Sequence, residues 1–198
     1  MKNNRSLISV SWPVFVLMLA TSLGAGRCRV RSRRNSASSE PEASQNHEEN
    51  REQRARLKKM SGYTNAYNSL IGPNGLSATQ QRYLKANIPK QKAKGNIYVT
   101  VGWLDGAYNN LKEARAVPDV SIPELDQSAG ALIAALDKLV PPLEALEVYY
   151  KSKTYKEDDL ARGKAEDPAI RAAFEQSLEA LDTFKQAFVR QAKARAAE

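Results

Sequence analysis

The apolar repeat between residues 125 and 150 constrains the fold of this chain more than any other feature of its sequence. Apolar residues recur there at steps of three and four, which places them on one face of an α-helix. The repeat consists of Leu125, Ala129, Leu132, Leu136, Leu139, Leu143, Leu146 and Tyr150. Because only one face is apolar, other helices must cover it. The sequence therefore predicts an all-α fold, an antiparallel helical bundle.

The ends of this long helix also have sequence signals. Ser121 and Glu124 have the spacing of a capping box, and Pro123 suits the first helical turn. Pro141 and Pro142 lack backbone N–H donors and clash with the preceding turn. We therefore expect Ser121 to cap the helix, and we expect a kink or a short break near residues 138–142.

Three segments before the long helix also have helical spacing. One begins near Leu57 and ends at the Gly72-Pro73 pair, and another runs from Ser77 to Pro89. The residues Ile97, Val101, Leu104, Tyr108 and Leu111 form the apolar stripe of one helix, although "NIYVTVGW" also has the composition of a short strand.

The C-terminal region predicts two helices. Thr154 and Glu157 offer a capping box for a short helix that ends at Gly163. The pair Asp167-Pro168 has the pattern of a cap and a first turn, and predicts the start of the last helix. Its buried face is predicted to contain Ile170, Phe174, Leu178, Leu181, Phe184 and Phe188.

Residues 1–26 have the pattern of an export leader. Lys2 and Arg5 precede an uncharged and mostly apolar run, which closes with small residues. Cys28 stands where a bacterial lipoprotein carries its acylated cysteine, but Arg27 breaks that pattern. The leader is thus a cleaved signal peptide, a lipidated one or a retained membrane anchor, and the alternatives stay open. A cleaved or lipidated leader predicts a place in the bacterial cell envelope, either periplasmic or membrane-anchored, with the membrane as a partner through the leader. For a retained anchor, the arginines after residue 26 would by the positive-inside rule leave the body inside the cell.

The segment 27–56 is predicted to be a disordered linker between the leader and a helical domain at 57–198. Residues 35–56 contain no Leu, Ile, Val, Phe, Tyr or Trp, so they cannot bury enough apolar area to offset chain entropy.

The distribution of charge argues against nucleic acid as a partner. The chain has a formal net charge of +8. Residues 1–59 hold 12 Lys or Arg and 5 Asp or Glu, whereas residues 60–198 hold 18 and 17. The excess of basic residues thus belongs to the N-terminal part, and a nucleic-acid-binding domain needs that excess on its own surface.

The inventory of reactive residues is small. The chain has one cysteine and one histidine, His47, which lies in a polar stretch. An intrachain disulfide, a thiol zinc site and a triad that needs both histidine and serine are therefore excluded or strongly disfavoured. We expect neither a catalytic site nor a cofactor.

Two groups of residues are candidates for a site. Tyr63, Tyr67, Tyr150 and Tyr155 could line a ligand groove, although tyrosines of a helical core also bury their rings and leave the hydroxyl in water. The acidic run Glu157, Asp158 and Asp159 is a weak candidate for a metal site. These three carboxylates also suit the first turn of a helix, where the macrodipole favours negative charge, and we favour that interpretation.

Two further features concern the surface. Lys90, Lys92 and Lys94 form a basic loop that could touch anionic lipid headgroups, although a solvated loop is the favoured interpretation. Trp103 is predicted to pack in the core.

The helical region resembles a known family. The stretches "YTNAYNSLIG" and "LDQSAGALIAALDKLVPPLEALEVYYKSKTYKEDDLARGKA" are similar to the YiiG-like family of bacterial envelope proteins, many of them lipoproteins. The resemblance covers about residues 60–190, and its most specific part is 136–164. It implies an all-helical fold and export, and it implies no catalytic residue.

These observations together predict a non-enzymatic binding or structural module of the bacterial envelope. It would present helix faces or a groove between helices to a protein or a small ligand. The alternative is a cation-binding protein or an enzyme that uses the acidic turn at residues 157–159.

Overall fold

The apolar repeats of the sequence form five α-helices in the computed structural model, which describes residues 40–196, with side chains from His47 onward except that of Arg195. The helices are α1 (Glu40–Ile71), α2 (Leu76–Ala86), α3 (Leu104–Arg115), α4 (Pro123–Lys151) and α5 (Ala161–Ala196). Short 3-10 turns occur at Ile88–Lys90 and Thr154–Lys156. The range 40–196 contains no strand, so the predicted all-α fold is confirmed.

Neighbouring helices pack antiparallel. Glu124 near the start of α4 pairs with Arg190 near the end of α5, with 2.5 Å between Oε1 and Nη2. At the other end of this helix pair, the Tyr150 ring lies against Gly163. Helix α3 packs between α1 and α4, and α2 packs on α5 and α1.

The core consists of the helix faces that the spacing predicts. Leu132, Leu136 and Leu143 of α4 are fully buried, and so are Phe174 and Phe184 of α5. Each such side chain contributes about 1.5–3 kcal/mol by leaving water. The prediction for the apolar face of the last helix is therefore confirmed.

A buried polar cluster joins α1 to the start of α4. The Lys59 ammonium group donates to Asp126 Oδ2 at 2.8 Å and to the Val120 carbonyl oxygen at 2.8 Å. The Tyr63 hydroxyl donates to Asp126 Oδ1 at 2.5 Å, and the Ile122 N–H donates to Oδ2 at 2.9 Å. Burial alone would raise the pKa of Asp126, but these hydrogen bonds outweigh it and lower the pKa below its ordinary value.

The prediction of one helix over Ile97–Leu111 is wrong in its first half. Helix α3 begins only at Leu104, and residues 97–101 are neither helix nor strand. Gly102 has a φ of 63°, which breaks the helix before it can extend backwards. Trp103, predicted to pack in the core, is 62 % exposed.

Helix α4 begins and continues differently from the prediction. Its N-cap residue is Ile122, and no side chain caps it, so the role expected for Ser121 is wrong. Asp126 instead accepts the Ile122 N–H. The helix has no break at Pro141 and Pro142. Both prolines leave carbonyl groups one turn earlier without an N–H partner, but those residues are exposed, so water can bind them.

Helix α5 begins earlier than predicted. The short helix expected between Thr154 and Gly163 is a 3-10 turn, and Gly163 lies inside α5. Pro168 lies inside α5 as well, so Asp167 does not cap it. Apart from Gly163, the residues from Ala161 to Glu166 are strong helix formers, which favours the earlier start.

Helix α1 extends into the stretch that the sequence predicts to be a linker. It begins at Glu40, in a segment rich in Glu, Gln, Arg and Ala, which favour helix without any burial. The exposed Arg51 guanidinium pairs with Asp119 Oδ2 at 2.8 Å. The boundary of the domain at residue 57 stays a prediction, and residues 1–39 lie outside the described part of the chain.

We expect Asp126 to contribute to stability only when it is ionised. Because its pKa is lowered in the folded state, the contribution is present above the ordinary pKa of 3.8 and is lost as the pH falls through the lower folded value. Asp126→Asn should cost about 3–5 kcal/mol at neutral pH, since it leaves Lys59 buried without its partner. Urea unfolding should show that the difference in free energy of unfolding between the wild type and Asp126→Asn narrows below pH 3.8.

Asp182→Asn is the matched control. Asp182 is an exposed residue of α5 that contacts Gln186 one turn later. The substitution Asp182→Asn should change the free energy of unfolding by less than about 0.5 kcal/mol. An equal cost at both positions would show that the buried cluster does not stabilise the fold.

Candidate functional site

A groove with basic walls lies at the end of the bundle where α2 and α4 finish. It consists of two adjoining depressions of about 230 and 280 Å³, which share Asn96, Ile97 and Tyr98. We call them together the basic groove. Seven of its lining side chains are used in the argument that follows. They are Arg82 and Lys85 of α2, Tyr98 of the segment between α2 and α3, Tyr150 and Lys151 of α4, and Lys153 and Tyr155 of the turn after α4.

Local backbone signals place these walls. Helix α2 ends because Asn87 adopts the left-handed conformation, with a φ of 48°, and Pro89 follows. After α4 ends, Lys153 has a φ of 64° and turns the chain back. The segment between the two walls, residues 96–99, therefore crosses the end of the bundle without regular structure.

Two hydrogen bonds fix the crossing segment on α4 and the turn after it. The Tyr155 hydroxyl donates to the Gly95 carbonyl oxygen at 2.8 Å. The Val101 N–H donates to Glu147 Oε2 at 2.7 Å. Burial alone would raise the pKa of Glu147, but hydrogen bonds from Lys151 and Val101 outweigh it and lower the pKa. Glu147 thus remains ionised and holds the segment in place.

The charge of the groove is one-sided. Four cationic side chains line it, namely Arg82, Lys85, Lys151 and Lys153, and none of its lining residues is acidic. Lys151 pairs with Glu147 at 2.5 Å, which offsets one of the four charges. The Tyr98 ring is 72 % exposed and separates the two depressions. A ligand that carries an anionic group next to an apolar group would fit such a lining.

The structure places the four candidate tyrosines in two separate clusters. Tyr150 and Tyr155 are buried beneath the basic groove, with 5.8 Å between their ring centroids. Tyr63 contacts Phe184, and Tyr67 stacks on Phe188 at 5.1 Å. The Tyr63 hydroxyl donates a hydrogen bond to Asp126, near the start of α4. Tyr150 lies 24 residues after Asp126 on the same helix, which corresponds to about 36 Å along the helix axis. The four tyrosines therefore do not line one common groove.

The acidic turn is held by donors of the protein itself. Asp158 accepts hydrogen bonds from the Tyr149 hydroxyl at 2.6 Å and from the Leu160 and Arg162 N–H groups at 3.0 and 3.1 Å. The hydrogen bond from Tyr149 is the main cause that lowers the pKa of Asp158. Glu157 and Asp159 are more exposed neighbours.

Metal binding by Glu157, Asp158 and Asp159 stays a prediction. Within residues 40–196, no group of three or more His, Cys, Asp or Glu side chains is arranged to hold a metal ion. The lipidation candidate Cys28 lies outside the described residues.

Sequence reasoning missed five residues of the groove: Arg82, Lys85, Tyr98, Lys151 and Lys153. A signal for the first three was present, because no Asp or Glu occurs between Glu52 and Asp105. The sequence could not show that Lys153, far along the chain, lies beside this acid-free stretch.

The fold and the groove define a helical-bundle protein with a basic cleft at one end. The chain belongs to DUF3829, a family of proteins of unknown function, whose match covers residues 54–198. Neither a search of curated proteins nor a search of solved structures finds a match. Among residues 40–196, no helix combines the length and the hydropathy that a membrane span requires.

Gly163 is the residue that lets the floor of the groove pack on α5. The Tyr150 hydroxyl is buried, has no hydrogen-bond partner among the described side chains, and would overlap a Cβ atom at position 163. Burial raises the pKa of Tyr150 to about 12, so the hydroxyl stays protonated. A hydroxyl without a partner contributes little to stability, but its oxygen atom occupies the space that glycine leaves.

We therefore expect Gly163→Ala to destabilise the protein by about 1–3 kcal/mol through overpacking. Tyr150→Phe removes the overlapping oxygen and should cost less than about 1 kcal/mol. Urea unfolding of the double variant should show a cost at least about 1 kcal/mol smaller than the sum of the two single costs. Additive costs would contradict the proposed contact.

Proposed function

We propose that this chain is a non-catalytic binding module of the bacterial cell envelope, and that the basic groove binds an anionic ligand. The observation that carries the proposal is the lining of the groove, where Arg82, Lys85, Lys151 and Lys153 meet without any acidic residue. Cationic side chains that converge around an aromatic ring are a common way to bind phosphate or carboxylate groups.

The rigidity of the groove supports a binding role. The crossing segment is attached at Gly95 and at Val101, on both sides of Tyr98. A lining that is already held in place loses little conformational entropy when a ligand binds. Tyr150 and Tyr155 belong to this proposal as the buried floor that supports Tyr98 and its neighbours, not as direct ligand contacts.

The sequence of the leader supports the place in the envelope. Residues 1–26 have the order of an export signal, and Cys28 follows where a lipid anchor would be attached. Within DUF3829, the finer assignment to YiiG-like envelope proteins is part of this proposal and is supported by residues 136–164. In the same proposal the membrane is a partner through the leader, and nucleic acid is not a partner.

The alternative is a cation-binding protein that uses Glu157, Asp158 and Asp159. The hydrogen bonds at Asp158 favour the anion-binding proposal, because three N–H and O–H donors occupy the oxygens that a cation would need. A calcium-, magnesium- or manganese-dependent rise of the melting temperature, absent when all three residues are replaced by Asn and Gln, would favour the alternative.

Charge reversal tests the groove with heparin as a soluble polyanionic probe. Lys85→Glu combined with Lys153→Glu should lower the salt concentration that elutes the protein from heparin, because each reversed contact removes a released counterion. The control is Lys185→Glu combined with Lys193→Glu, which makes the same change of net charge. Lys185 and Lys193 lie on the C-terminal half of α5, and Lys185 is about 33 Å along that helix from Gly163.

The control pair should shift elution much less than the groove pair, since charges beyond about 10 Å are screened. Equal shifts of elution in the two double variants would mean that only net charge matters. That result would remove the groove as a binding site.

Mass spectrometry of the native N-terminus tests the place in the envelope. A diacylglyceryl group on Cys28 or a new terminus near Arg27 is expected for an exported protein. An intact Met1 in a protein that fractionates away from membranes would contradict the proposal.

A further inference from the structure

A cluster of positive charge of the folded domain surrounds the basic groove. The chain between Glu52 and Asp105 contains nine Lys or Arg residues and no Asp or Glu, and five of the nine belong to α2 and the loop after it, namely Arg82, Lys85, Lys90, Lys92 and Lys94. The fold brings the later part of this stretch beside the lysines that end α4 and follow it. The near-neutral total for residues 60–198 thus conceals one strongly basic end.

We infer that this end of the bundle docks on the surface of a bilayer that contains anionic phospholipid, with its lysines on the headgroups and Tyr98 at headgroup depth. The inference rests on the proposed function, because it names the chemistry of the anion that the groove receives. Phosphate groups of lipids are the source of charge, and the bilayer is the partner.

The lysines are arranged for contact with an extended surface. Lys85 and Lys153 line the groove, and four further exposed lysines lie next to its lining residues along the chain, namely Lys90, Lys92, Lys94 and Lys156. The six lysines are contributed by α2, by the loop after it and by the turn after α4, so they are not confined to one element. The exposed acidic residues Glu157 and Asp159 follow within three positions of Lys156, so the run of basic residues ends before α5.

Exposed apolar groups distinguish a bilayer from a soluble polyanion. Tyr98 is 72 % exposed, Trp103 is 62 % exposed and Val148 is 66 % exposed. Tyr98 and Lys151 line the same depression, and Val148 lies one turn before Lys151 on α4, so Tyr98 and Val148 lie at the same end of the bundle. Aromatic rings beside lysines are typical of the interface between lipid headgroups and hydrocarbon.

A fluorescent probe at position 98 tests the docking in the full chain. Trp12→Phe and Trp103→Phe remove the two natural tryptophans, and Tyr98→Trp then introduces the only one. The protein is coupled through Cys28, its only cysteine, to a maleimide lipid in vesicles. The vesicles contain phosphatidylcholine alone or phosphatidylcholine mixed with phosphatidylglycerol, so the attachment is the same in both.

We expect the emission to move to shorter wavelength, and brominated lipid to quench it, only in vesicles with phosphatidylglycerol. High salt should reverse both effects. Lys85→Glu combined with Lys153→Glu should reduce the ratio of docked to free domain by at least roughly 30-fold, because the loss of two lysines near an anionic surface already accounts for that factor and the two new carboxylates are repelled. Lys185→Glu combined with Lys193→Glu should leave the ratio within about twofold.

The same emission in both kinds of vesicle, or an equal loss in the two double variants, would overturn the inference. If heparin binding depends on Lys85 and Lys153 but the vesicles give no response, the lipid inference fails and the anion-binding proposal survives. If neither probe depends on these lysines, both fail. Binding of a DNA duplex that depends on the groove, without a vesicle response, would assign the surface to nucleic acid and overturn the lipid inference.

Discussion

The attachment of α1 to the first turn of α4 is the constraint on which the rest of the bundle depends. Asp126 accepts from Lys59 and Tyr63 on α1 and from the Ile122 N–H at the start of its own helix. One carboxylate thereby sets where α4 begins and how it is aligned along α1. A buried ion pair of this kind costs desolvation of two charges, so its full set of hydrogen bonds matters more than the pair itself.

The alignment at this end determines what meets at the other end. Helix α4 is unbroken over 29 residues. It extends from Asp126, which is bound to α1, to Tyr150 and Lys151, which lie beside the segment that crosses from α2 to α3. Glu147 and Tyr155 then bind that segment on both sides of Tyr98. One continuous helix thus connects the Asp126 cluster with the basic groove, over a rise of about 36 Å from Asp126 to Tyr150.

The sequence predicted the helix faces well and several helix ends poorly, for different physical reasons. The apolar spacing of α4 and α5 reflects burial, which is the dominant favourable term in folding, so those faces match the buried residues. Helix ends are decided by smaller local effects that tertiary contacts override. Pro168 lies inside α5, and Ile97 and Trp103 lie outside α3, because the surrounding packing and one left-handed glycine outweigh local propensity.

The sequence by itself determined the fold class and the approximate number of helices, since each depends on the order of residues along a short stretch. Only the tertiary structure decided where the charge is concentrated. A sum over residues 60–198 is nearly neutral, but folding brings Arg82, Lys85 and Lys153 together and places no acidic residue among the groove-lining side chains. Electrostatic interactions depend on distance in space, and residues about 70 positions apart along the chain come close to one another only when the chain folds.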